Sequence, residues 1–216
     1  MLKDNFNSIA NTPNPSIKKG TIIEKLIEFI EETLYKFQEE FKGKINTSEE
    51  NLNEQLCKTF SFFSKNKTFI FQSEAKQKQP KGIDRRVDIG VFRHFSDQNP
   101  FFTIEAKRLT TSMPKNRERE YVLGDNITKL SGGIERFKHN VHGVNLEHSA
   151  LIGYVQNQDV KYWFDAINQW IQELIDSKIQ SPLNWISNDL LNNICGFTDL
   201  RLAKSSFESN KINKKK

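Results

Sequence analysis

Asp88 and the triplet Glu105-Ala106-Lys107 are the residues of this chain with the greatest chemical potential. They lie in two apolar runs, RRVDIGVF and FFTIEAKRL, joined by a short polar connection. Each run alternates. Val87, Ile89 and Val91 oppose Arg86, Asp88 and Gly90 in the first, and Phe102, Ile104 and Ala106 oppose Thr103, Glu105 and Lys107 in the second. Period-two alternation rich in β-branched and aromatic residues predicts two strands, and residues two apart on a strand share a face. Glu105 and Lys107 are therefore neighbours. A hairpin closed symmetrically about Arg93–Pro100, with Phe92 opposite Phe101, sets Asp88 opposite Glu105, with Cβ atoms roughly 4.5–5.5 Å apart. Two carboxylates at that spacing repel each other unless a cation or a proton lies between them. With a lysine alongside, such a group suits a hard divalent metal and an activated water.

The arrangement resembles the active site of the PD-(D/E)XK nuclease superfamily, which carries an Asp on one strand and (Asp/Glu)-x-Lys on the next. Asp88, Glu105 and Lys107 match those positions, and Val87 stands where the proline of the family's name would be. Glu74-Ala75-Lys76 is a second copy of the triplet, but the only Asp before residue 84 is Asp4, so it lacks a partner at hairpin distance. The resemblance implies phosphodiester hydrolysis dependent on Mg²⁺ (or Mn²⁺). Asp88, Glu105 and the Ala106 carbonyl would be metal ligands, and Lys107 would orient the attacking water or stabilise the transition state. It also implies an α/β, restriction-endonuclease-like fold: a central mixed sheet of four to five strands flanked by helices, with an N-terminal helix. Family members often place an acid on the helix before the first core strand. Glu54, in NLNEQL, is the candidate, with Glu50 behind it, and an ordinary solvated helix acid is the alternative reading. Tyr121, Gly133, Arg136 and Phe137 resemble, more loosely, a pattern of uncharacterised bacterial members of the superfamily, with His142-Gly143 where that pattern has Tyr-Gly. Arg136 and Lys138 are candidates for phosphate binding, and Arg136 could instead hold the acidic cluster by pairing with it. Arg108, at the end of the second strand, and Lys115 and Arg117, in the basic connection over 110–130, are further candidate nucleic-acid contacts.

The elements that must position these residues are readable in outline. Residues 1–20 have the composition of a flexible leader, and 208–216 that of a basic disordered tail, leaving one domain over 21–207. Ile23, Ile27, Ile30, Leu34, Phe37 and Phe41 form a stripe that predicts a helix over 21–43. Such a seam packs on its own core more often than it pairs with a twin helix or a partner protein. Thr47 or Ser48 opens a second helix running to about Ser64, with Leu52, Leu56, Phe60 and Phe63 on one stripe and Glu49 and Glu50 in its first turn, where the helix dipole favours acids. Thr68–Ser73 reads as the first strand. SALIGYVQ (149–156) reads as a buried central strand, possible parallel partner of an earlier one. Asp159 caps a helix bearing Trp163, Ile167 and Ile171, NWISNDLLNNI looks helical, and GFTDLRLAKSSF supplies a last strand.

Composition narrows the function class. The net charge is +5, and residues 58–138 carry 17 bases against nine acids, so the basic stretch coincides with the acidic motif. A polyanion, DNA foremost, is the expected partner, bound the more weakly as salt rises. No run approaches the ~20 apolar residues of a membrane span and no signal peptide is evident, which points to a cytoplasmic protein. Cys57 and Cys195 lack metal-ligand spacing and read as buried thiols. Two other classes compete with a nuclease in restriction, phage defence or repair. One is a catalytically silent nucleic-acid-binding module on the same fold, and the other is an assembly module that uses the helix over 21–43.

Overall fold

The computed structural model describes residues 20–41, 47–79, 83–111, 115–124, 131–177, 184–195 and 204–206. The expected leader and basic tail lie outside these residues, apart from Gly20. Two helices, α1 (Ile22–Phe41) and α2 (Glu49–Phe63), precede three strands, β1 (Ile70–Gln77), β2 (Arg85–Phe92) and β3 (Phe102–Leu109). A short helix α3 (Lys115–Glu118), a 3₁₀ turn, and helix α4 (Gly133–Lys138) lead to β4 (Ala150–Val155) and helix α5 (Val160–Asp176), and the small strands β5 (Asn192–Cys195) and β6 (Lys204–Ser206) follow. The sheet has the order β1-β2-β3-β4, antiparallel except for the parallel β3–β4 pair, and β5 and β6 pair separately. The architecture is α/β, with a mixed four-stranded sheet flanked by helices. Among the described residues, no helix is long and apolar enough to cross a membrane.

Alternation along β3 feeds two cores. Phe102, Ile104 and Ala106 join Tyr154 of β4 in packing against Leu26, Phe29, Ile30 and Phe37 of α1 and Leu52, Leu56 and Phe60 of α2. Leu109 and Leu151 pack on the other side against Ile134 of α4 and Trp163, Ile167 and Ile171 of α5. The two Trp of α5 near its start and middle are thus core material. Helix α1 packs on its own core, but the buried face is Leu26, Phe29, Ile30, Thr33 and Phe37, shifted from the expected stripe. Phe29 sets that rotation: its ring lies 5.2–6.2 Å from those of Phe60, Phe69 and Phe71.

Three elements differ from the sequence expectation. β4 is not central: it closes one side of the described sheet, and its continuous apolar run reflects helices covering both of its faces rather than strands on both edges. The stretch around residues 187–195 is a 3₁₀ turn, Ser187–Asp189, followed by β5, not a helix. There the Asp189 carboxylate turns back to accept from the Ile186 N–H (2.9 Å), a local bond that competes with helix formation. β1 runs on to Gln77, because its pairing with β2 continues through Gln77↔Arg85.

That continuation bends the ribbon. Glu74 has a positive φ of 49°, and the regular pairs on either side are Ser73↔Ile89 and Ala75↔Val87. Beyond the bend Ala75 packs with Val87 and Phe92 in a small cluster of its own. Ala75 comes so close to Gly90 that a Cβ there would lie 2.5 Å from the Ala75 Cβ, so a glycine is required on steric grounds.

Candidate active site

The register of the β2–β3 hairpin is Ile89↔Ile104, Gly90↔Thr103 and Val91↔Phe102. One step further along, it places Asp88 opposite Glu105, the pairing expected from the symmetric hairpin. The backbone ladder ends at Ile89, because β2 there follows β1 through the bend while β3 follows β4. Side chains take over in the gap. Asp88 Oδ2 accepts from the Ala106 N–H at 2.8 Å, and Glu105 Oε1 accepts from the Asp88 N–H at 3.3 Å. Each acid thus serves an amide that the parted strands leave behind. A strand residue directs its N–H and C=O to the same edge, so the Ala106 carbonyl faces this gap as well.

Glu105 is fully buried. Its Oε2 accepts from Arg136 Nη1 at 3.0 Å, and its Oε1 lies 2.6 Å from His142 Nδ1. The His142 contact is close without the alignment of a hydrogen bond, and is an ion pair only when the imidazole is protonated. Burial alone would raise the Glu105 carboxyl, but His142, Arg136 and Lys107 together outweigh it and hold the group below its ordinary range. Asp88 moves the other way. Burial, then the charge of Glu105, push it up to about 6, against the opposing pull of Lys107 and the Ala106 amide. Neighbouring carboxylates driven apart in this way are a common signature of functional sites.

Lys107, nearly buried, donates from Nζ to Glu49 Oε1 at 2.7 Å, and Glu49 Oε2 accepts from the Arg108 N–H at 3.2 Å. Glu49 is the first residue of α2, behind the Ser48 cap that accepts from the Asn51 N–H. The helix acid at the site is therefore Glu49 and not Glu54, which pairs with Lys58 on the exposed side (2.6 Å). Five residues at 100° each set the two about 140° apart around the helix. Glu50, the second expected candidate, is exposed. The available signal was the cap: a first-turn acid marks the end of α2 that meets β3.

Two further residues went unassigned in the sequence. His142 was visible only as part of a loose motif. Gln77, buried at the end of β1, accepts from the Gly143 N–H at 3.0 Å and donates to the Val144 carbonyl at 3.3 Å, fixing the segment that carries His142. Of the expected nucleic-acid contacts, Arg136 is committed to Glu105, in keeping with its alternative role of holding the acidic cluster. Lys138 cannot reach a phosphate. It is fully buried, bonded to both Asp189 oxygens at 2.7 Å and 5.1 Å from the Trp185 ring centre. Arg108 is half-buried, and Arg117 is exposed and pairs with Glu120 at 2.9 Å. The Lys115 side chain lies outside the described residues.

Among the described residues, no group of three or more His, Cys, Asp and Glu side chains is placed to hold a metal. The donors at the gap are two carboxylates and one carbonyl, with water left to complete a coordination sphere, as Mg²⁺ usually requires. Asp88 is raised by burial and by the charge of Glu105, whereas Glu105 is paired with Arg136. Comparison with protein-family models, with curated proteins and with solved structures finds no match for this chain.

Proposed function

We propose that the chain is a metal-dependent nuclease of the PD-(D/E)XK type with a restriction-endonuclease-like core, hydrolysing phosphodiester bonds of nucleic acid, DNA foremost. The observation that carries this reading is the gap itself: Asp88 on the Ala106 amide, Glu105 facing it, and Lys107 held at the rim by Glu49. Asp88, Glu105 and the Ala106 carbonyl would hold Mg²⁺ or Mn²⁺, which supplies a water of lowered pKa and neutralises charge at the scissile phosphate. Arg136 and His142 keep Glu105 ionised and fixed. Lys107, paired with Glu49, acts on the phosphate electrostatically. The reading extends to a role in restriction, phage defence or repair, in the cytoplasm.

One observation favours a second reading. Arg136 already pairs with one Glu105 oxygen and His142 lies beside the other, so a catalytically silent nucleic-acid-binding module could keep this cluster for structure alone. Incubation with plasmid, single-stranded DNA and RNA, with and without Mg²⁺ or Mn²⁺, separates the two. Metal-dependent cleavage is expected, and Asp88→Ala and Lys107→Ala should each abolish it while circular dichroism stays native. Cleavage unaltered in both variants would remove the proposed site, and no cleavage of any substrate would favour the silent module.

A further inference from the structure

Past the bend at Glu74, β1 and β2 continue as a two-stranded ribbon beside the acidic gap, and its solvent side is basic. Lys76, Lys78, Arg85 and Arg86 are all exposed. Lys76 sits directly opposite Arg86 in the ladder. Like charges facing across an antiparallel pair are destabilising, and only Arg86 is relieved, by Glu74 at 2.7 Å. Lys76 and Lys78, on the same face as Arg86, have no acidic partner among the described residues, and Arg85 lies on the opposite face.

The ribbon is also held in place. Gln77 grips Gly143 and Val144, Gln79 donates to the Val141 carbonyl at 3.3 Å, and the Lys78 N–H bonds to Asn99 Oδ1 at 2.9 Å. These cations sit on a fixed platform beside the gap: Lys76 is opposite Arg86, two residues from Asp88, and Lys78 follows it along the chain. We propose that this ribbon is a binding track for the phosphate backbone of a nucleic-acid strand, with Lys76 and Lys78 as its phosphate contacts and Arg86 beside them on the same face, leading the strand to the gap at Asp88. This assignment rests on the nuclease reading and names the surface that holds its substrate. It replaces Lys138, which is buried, and Arg136, which is engaged.

The test is fluorescence anisotropy with the full chain in EDTA, so that no cleavage intervenes, using a labelled single strand and a labelled duplex across a salt series. Lys76→Ala combined with Lys78→Ala breaks no ion pair among the described residues. Each lost phosphate contact should lower the slope of log affinity against log salt by about 0.9 for duplex and about 0.7 for single strand, which is about eightfold in duplex affinity at 0.1 M salt. The double variant should therefore bind duplex roughly 60-fold more weakly. Whichever form shows the larger loss is the strand architecture the ribbon holds. Lys161→Ala, on α5, should match the wild type. Wild-type binding that the double variant leaves unchanged in strength and salt slope would overturn the ribbon assignment alone. Absence of wild-type binding to either form at 50 mM salt would overturn it together with the nuclease reading.

Discussion

Asp88 and Glu105 are chemically alike and adjacent, yet their surroundings move their protons in opposite directions. Glu105 has Arg136, His142 and Lys107 to hold it ionised, whereas Asp88, pushed up to about 6 by burial and by Glu105, is protonated more readily than in the unfolded chain. A carboxyl raised in the folded state favours folding below its unfolded pKa, and that contribution is lost as pH rises through the folded value. Without metal, the stability difference between wild type and Asp88→Asn should therefore shift against the wild type between about pH 4 and pH 6, a change measurable by urea unfolding. A divalent cation must displace that proton. Its affinity should rise about tenfold per pH unit up to about 6 and level off above, as read by calorimetry with Mn²⁺. A flat affinity profile from pH 5 to 7 would show that Asp88 is not a ligand. These two residues and Lys107 were legible in the sequence because strand parity and a symmetric turn fix which side chains face each other. Glu49 was not, because the azimuth of a helix acid depends on which helix face the core buries.

At the scale of elements, the bend in the β1–β2 ribbon opens the gap, and Gly90 permits the bend. A methyl at residue 90 would sit 2.5 Å from the Ala75 Cβ, 3.0 Å from the Phe92 ring and 3.3 Å from Pro100. Gly90→Ala should cost about 1–3 kcal/mol, the usual range for overpacking a core, and should be seen as a lowered urea midpoint. Ala75→Gly in the same chain should recover part of that loss, and absence of any recovery would show that the Ala75 approach is not the constraint. Sequence reading found the hairpin and both long N-terminal helices but ended β1 near Ser73. Residues 74–77, Glu-Ala-Lys-Gln, hold no β-branched or aromatic side chain to mark a strand, and their pairing is set by β2. The misread helix around residue 189 has a similar origin: the buried Lys138 that holds Asp189 is 51 positions away.

For the molecule as a whole, α1 is part of the core and not an appendage. Leu26, Phe29, Ile30 and Phe37 cover Leu56 and Phe60 of α2, which would otherwise face water. Removing residues 1–44 should therefore abolish cooperative urea unfolding and produce dye-binding apolar surface. A shortened chain that unfolds at the wild-type midpoint would return α1 to the role of an assembly element, to be settled by sedimentation. The two-sided packing also explains why the β4 run was read as central. Burial on both faces gives the same apolar sequence whether or not both edges are paired.

The amide of Ala106 donates to Asp88 from the residue that follows Glu105, and so lies between the two acids. Its proton is therefore a resident probe. In an ¹⁵N-correlated spectrum a single cross-peak would follow both the loss of the Asp88 proton and the arrival of a cation in the gap, and its hydrogen-exchange rate would show how often the two strands part further.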